Sequence, residues 1–300
     1  LLLLPASTSF AAKNSWDQIF LNGPIETTLP DGSTRTLMPS CSGGPQIVEG
    51  VPFPVPADTQ YYFFVQAGNP NKILIGLDGG GACWDAATCI GSPLTGNSTY
   101  TVALDETPAR LANAEGFFDS SNPDNPFHNY TKVFIPYCSG DVHWGSKTTI
   151  YNLGGLEWPI HHRGLDNFLG VLDWLQKNGR KSYRVDFGRA RDVTVTGASA
   201  GGYGANVAFA YVAEMSPRAR LSLVSDAAIG VLTQSFYETA IYNPGSPGSE
   251  SWGVQGSLPA WVPGFETIVE DNYAFPNGFL PSVFAALADY KPNARMASLT

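Results

Sequence analysis

RDVTVTGASAGGYGANVAFAYVAEM, running from Arg191 to Met215, decides the fold. Val193-Thr194-Val195-Thr196 is a β-branched run that alternates apolar and polar residues, as a strand does. Gly197-Ala198-Ser199-Ala200-Gly201 follows, and then Ala205, Ala208, Phe209 and Val212 recur at helical spacing. The order is strand, sharp turn, helix, with a serine at the apex. In that context G-x-S-x-G reads as a nucleophile elbow. Gly197 and Gly201 are glycine because a side chain at either position meets facing backbone where strand and helix approach. A strained apex lifts the serine Oγ clear of the sheet. The helix N-terminus behind it favours an anion forming there. The competing reading is a glycine-rich connection with an incidental serine; the flanking strand and helix weigh against it.

Working outward, Lys72 to Leu77 (KILIGL) is a continuous apolar run, as in a buried parallel strand. It ends in Asp78-Gly79-Gly80-Gly81-Ala82-Cys83-Trp84. Glycines just past a buried strand let backbone N–H groups face a ligand. Beside an elbow, Gly80 and Gly81 are expected to supply oxyanion-hole donors together with the N–H of Ala200, the residue after the nucleophile. The plain alternative is a tight turn. Val133 to Tyr137 (VFIPY) is a further buried strand, leading into Cys138-Ser139-Gly140-Asp141-Val142-His143-Trp144-Gly145. Ligands bind beyond the carboxyl ends of parallel strands. Trp84, Asp141, Trp144 and Asp226 are therefore expected at the substrate pocket. The bland alternative makes Asp141 a turn cap and Trp144 a core residue.

The remaining punctuation gives a strand over Tyr61 to Gln66 and a hairpin around Gly154-Gly155. It gives an amphipathic helix from Leu165 to Leu175, stopped by Asn178-Gly179. A strand follows at Leu221 to Val224 and a helix at Phe279 to Tyr290, closed by Pro292. Another strand starts at Ala294. Residues 13 to 59 read as short strands and loops, residues 91 to 129 as a long loop, and Gly245 to Pro263 as a loop or lid.

The 300 residues carry a formal charge of −9, which disfavours nucleic acid and anionic membranes as partners. No apolar run is long enough to span a bilayer. Leu1 to Ala12 (LLLLPASTSFAA) reads as the tail of a secretory signal peptide, with residues 13–300 as one α/β domain. The four cysteines suit an oxidising, secreted or periplasmic setting, with Cys83–Cys89 a local bridge and Cys41–Cys138 the remaining pair. No metal or cofactor is implied: C-x-x-C is absent, and the histidines are not spaced with the cysteines as zinc ligands are.

Four segments appear in order: GLDGGGACW (residues 76–84), IPYCSGDVHWG (135–145), HHRGLDNFLGVLDWL (161–175) and GASAGGYGA (197–205). Over Gln60 to Asp226 the chain resembles the pectin acetylesterase/Notum family of α/β-hydrolase-like esterases. The resemblance implies a mostly parallel sheet with helices on both faces and a Ser-Asp-His triad with Ser199 as nucleophile. It implies an acylated carbohydrate, such as acetylated pectin, or a small ester as substrate. One departure stands out. In α/β hydrolases the acid and the histidine follow the serine, yet His128, His143, His161 and His162 all precede Ser199. The acid and base are therefore expected beyond Thr300, in a chain incomplete at its C-terminus, with Asp226 the alternative acid. A rival from another class is a non-catalytic binding module that keeps the elbow; a small-molecule esterase or lipase shares the mechanism.

Overall fold

The computed structural model describes residues 15–48, 51–55, 60–91 and 98–299. The expected signal-peptide remnant, residues 1–12, lies outside them. One seven-stranded sheet organises the chain. Its strands are β1 (Trp16–Asn22), β2 (Gln60–Gln66), β3 (Asn69–Leu77), β4 (Tyr130–Ile135), β5 (Asp192–Ala198), β6 (Arg220–Asp226) and β7 (Arg295–Leu299). They lie in the order β1-β2-β4-β3-β5-β6-β7, antiparallel through β1, β2 and β4 and parallel from β4 to β7. This is the α/β-hydrolase arrangement. The chain runs from β3 out to β4 on one side, then returns to β5 on the other. The carboxyl ends of β3 and β5 thus flank the topological switch point, where such sheets bind ligands.

The strands that flank the switch point are buried on both faces; β3 is apolar on both, whereas β5 turns the hydroxyls of Thr194 and Thr196 to the second. Ile73, Ile75 and Leu77 of β3 and Val193 and Val195 of β5 face one core with Phe63 and Val65 of β2. That core is covered by α1 (Gly164–Trp174) and α2 (Ala200–Met215), with α3 (Phe279–Tyr290) packed beside α2. The opposite face is covered lightly. Phe118 and Leu111, from short turns in the long loop, pack there on Trp16, Tyr62, Phe64 and Phe134. Helices lie on both faces, but the long ones lie on one.

The elements stand close to where the sequence puts them, with two differences. The helix does not stop at Asn178-Gly179. It passes through a π-type turn, Leu175–Gly179, and a further turn, Arg180–Tyr183, before ending at Arg184 in the left-handed region. Gly179 keeps helical angles, φ −57° and ψ −40°. A glycine permits a stop without imposing one, and Leu175 and Val185 continue the buried face beneath it. The segment from Gly245 to Pro263 is packed down rather than free to swing. Trp252 is fully buried, and its Nε1–H donates to the Cys83 carbonyl at 2.8 Å. Both expected disulfides are present, Cys41–Cys138 and Cys83–Cys89.

Candidate active site

Ser199 stands between β5 and α2 with φ 54° and ψ −124°, a conformation that costs an L-residue about 1–3 kcal/mol. The side chain is exposed, while Ala200 behind it is buried. Close approach explains the flanking glycines. A Cβ on Gly197 falls 2.2 Å from the Gly201 carbonyl oxygen, and one on Gly201 falls 2.0 Å from that of Leu77. The elbow is tied down on its far side as well: the Ser199 N–H donates to the Asp226 carbonyl at 2.9 Å. Ala200 is the first residue of α2, and the Ser199 carbonyl already accepts from Gly202 N–H at 2.9 Å.

The glycine loop after β3 lies against this elbow. A Cβ on Gly79 falls 2.8 Å from the Ala198 carbonyl and 3.3 Å from Ser199 Cβ. Gly80 and Gly81 follow with φ 154° and 77°. The Gly79 N–H is engaged by its neighbour, the Asp78 carboxylate, at 2.9 Å. Gly80 uses its carbonyl to accept from Thr101 N–H at 2.8 Å, which holds the loop to the segment at Thr99–Thr101. Among the described residues the N–H groups of Gly80 and Gly81 have no hydrogen-bond acceptor. A cleft of about 420 Å³ opens beside the elbow, lined by Asp78, Gly79, Phe117, Phe118, Ala198 and Asp226 among others.

The sequence-derived pocket residues separate into two groups. Asp226 is exposed and lines the cleft. Trp84 is half-buried, with its ring edge-on to Phe236 at 4.8 Å. Asp141 and Trp144 sit behind the site instead. Asp141 is 0% exposed and accepts from Ser139 Oγ at 2.6 Å, Gly164 N–H at 2.7 Å and His143 N–H at 3.1 Å. It closes the turn after β4 and ties that turn to the start of α1. Trp144 is buried, its Nε1–H on the Tyr203 carbonyl at 2.9 Å. For these two, the turn-cap and core alternatives describe what the side chains touch.

The four histidines all have partners away from Ser199. His128 Nδ1 meets the Asn125 carbonyl, His161 Nδ1 meets Thr148 Oγ1, and His162 bridges Tyr151 and Ser139. His143 comes nearest the site. Its Nε2–H donates to the Asp78 carbonyl at 2.9 Å, and its Cβ lies where a side chain on Gly204 of α2 would stand. Burial pushes its pKa down to about 4, so it is neutral. It acts as a wedge between the glycine loop and the elbow helix. Cys83, Cys89 and His162 cluster closely, but both cysteines are in the disulfide and offer no thiolate to a metal.

Glu106 was not legible as a site residue. It comes from the long loop, nearly thirty residues after Asp78, and no motif marks it. Burial first, with the nearby charges of Asp78 and Asp105, pushes its carboxyl up to about 7. It is 8% exposed, and its Oε2 is buried without a partner among the described residues.

Comparison with known proteins places these features in a family. Residues 57–240 match the family described as Pectinacetylesterase. The chain belongs to that family. It is 30% identical over 134 residues to the palmitoleoyl-protein carboxylesterase Notum of Schmidtea mediterranea, covering 44% of this chain and 23% of that protein. It is 26% identical over 202 residues to pectin acetylesterase 11 of Arabidopsis thaliana, covering 62% of this chain and 46% of that one. The matches thus span less than half the length of either relative. Among solved structures, the Wnt deacylase Notum from Drosophila superposes with TM-score 0.49 at 16% identity, covering 95% of this chain and 70% of that one. The two relatives are named for carboxylesterase and acetylesterase activities.

Proposed function

We propose that the protein is a serine carboxylester hydrolase that works through an acyl-enzyme on Ser199. The observation that carries this reading is the strained, exposed serine at the switch point, with the unengaged N–H groups of the glycine loop beside it. Ser199 Oγ attacks the ester carbonyl carbon, and the carbonyl oxygen takes the negative charge. The N–H groups of Gly80, Gly81 and Ala200 stabilise that oxyanion; each such donor is typically worth ~10²–10³ in rate. The alkoxide leaves with a proton, and water then releases the acyl group. The four histidines of this sequence are committed elsewhere, so a histidine outside these residues supplies the general base, oriented by an acid outside them or by Asp226.

The substrate is an acetyl ester on a polysaccharide such as pectin, as the name of the plant relative suggests. Secretion fits the two disulfides, which persist in an oxidising compartment. The test is hydrolysis of 4-nitrophenyl esters of increasing acyl length, with acetylated pectin alongside. Turnover is expected to fall from acetyl to longer chains and to drop at least ~10³-fold in Ser199→Ala. Ester hydrolysis indifferent to Ser199→Ala overturns the nucleophile. A preference for long chains overturns the acetylesterase in favour of a lipase-like enzyme.

A further inference from the structure

The geometry points to His143 as a positioning residue that latches the Asp78–Gly79 peptide against the elbow helix and so fixes how the glycine loop leaves β3. The inference rests on the serine-esterase reading for its kinetic consequence; the contacts that carry it stand apart from that reading. Three separate segments meet at this side chain. Its Nε2–H donates to the Asp78 carbonyl at 2.9 Å. Its backbone N–H donates to the Asp141 carboxylate at 3.1 Å. Its ring stands on α2: a Cβ on Gly204 falls 2.7 Å from His143 Cβ and 2.9 Å from its Cδ2. Tyr137 lies against the same ring, with centroids 4.7 Å apart.

The Asp78 carbonyl is held by α2 as well as by the histidine. A Cβ on Gly201 falls 2.7 Å from that oxygen. Gly201 and Gly204 are three residues apart and therefore share a face of α2. A side chain at Gly201 meets the carbonyl, and one at Gly204 meets the histidine. The two glycines clear the space in which the hydrogen bond forms, one turn behind Ser199. No other donor reaches the Asp78 carbonyl among the described residues. The peptide is planar, so the direction of this carbonyl sets that of the Gly79 N–H and the course of the chain to Gly80 and Gly81. Their own backbone resists rotation little, because glycine accepts φ of either sign. A part-buried acceptor left without its donor turns toward water.

Backbone strain accompanies the placement of this ring. Val142 and His143 are consecutive non-glycine residues with φ 50° and 64°. Such a φ is uncommon for an L-residue and an outlier for a β-branched one, and it persists only where the surroundings over-determine it. Here they do. The Val142 N–H donates to the Tyr137 hydroxyl at 2.8 Å, and the Asp141 carboxylate takes the His143 N–H. A Cβ on Gly164, at the start of α1, falls 2.5 Å from His143 Cα. The strained turn aims the imidazole at Asp78. A carbonyl can only accept, so the ring proton facing it sits on Nε2. No reaction step passes through His143, whose ring bond is to the backbone.

The experiment compares wild type with His143→Phe, His143→Gln and Gly204→Ala on 4-nitrophenyl acetate. Phe keeps a ring and loses the donor. Gln keeps an N–H at the reach of the imidazole Nε2. Ala at 204 favours the helix but pushes the ring off α2. In His143→Phe and Gly204→Ala kcat is expected to fall at least ~10-fold with KM within about twofold, because oxyanion donors act on the transition state. His143→Gln is expected to stay within about threefold of wild type, a rescue that a packing role does not give. Equal loss in Gln and Phe, a rise in KM alone, or wild-type kcat in Gly204→Ala overturns the inference. Crystal structures of the variants give a readout besides activity. The Asp78 carbonyl is expected against Gly201 in His143→Gln and rotated away in His143→Phe. Where His143→Phe does not fold, Gly204→Ala takes its place, with the same rotation expected. A carbonyl that has not moved overturns the inference. If turnover is indifferent to Ser199→Ala, the esterase reading fails, and the orientation of that carbonyl decides the latch on its own.

Discussion

The loops after β3 and β4 leave neighbouring strands at the same edge of the sheet, and each leads to a disulfide cysteine, yet they are built in opposite ways. The β4 loop spends its polar groups internally. Asp141, fully buried, is met by three donors, and its pKa goes up only to about 6. The β3 loop leaves polar groups unspent. The N–H groups of Gly80 and Gly81 have no acceptor among the described residues, and the buried Oε2 of Glu106 has no partner among them, its carboxyl going up to about 7. Burial raises both carboxyls, and the three donors around Asp141 hold back part of that rise. The satisfied loop is scaffold. The unsatisfied one has the capacity to bind something else.

The comparison breaks most visibly at the disulfides. Cys41–Cys138 anchors the β4 loop across a separation of 97 residues, and Cys83–Cys89 closes only 6 in the β3 loop. On chain entropy, Cys41→Ser with Cys138→Ser is expected to cost about 4–5 kcal/mol in urea unfolding. Next comes Asp141→Ala, which strands one hydroxyl and two backbone N–H groups and is expected to cost about 3 kcal/mol. Asp141→Asn, which keeps one acceptor, is expected to cost less. Smallest is Cys83→Ser with Cys89→Ser, expected at about 2 kcal/mol. If this last pair costs as much as the first, the β3 loop is scaffold too, and the contrast drawn here fails.

The sequence displayed the elements and the elbow. β-branched and apolar runs gave β3, β4 and β5, and the glycines around Ser199 stand where backbone contact forbids a side chain. These signals are local, because strand period and turn chemistry are written within a few residues. The same holds for the glycine loop and for the short disulfide. Less was visible wherever a residue's role depends on its neighbours in space. Asp141 and Trp144 lie just past a strand end, like Gly80 and Gly81, and sequence position alone did not decide between pocket residues and an inward turn cap and core residue. His143, which precedes the serine and was not expected to be its base, proved to be a wedge.

The sequence by itself determined which stretches become strands, which turn carries the serine, and that two glycine-rich loops follow buried strands. Tertiary structure alone decided which loop keeps free donors, that His143 holds the strand end at Asp78, and that the Glu106 carboxyl is buried. The physical reason is range. Backbone preference is set by adjacent residues, whereas a carboxyl's proton and a donor's freedom are set by whatever the fold brings within about 3 Å.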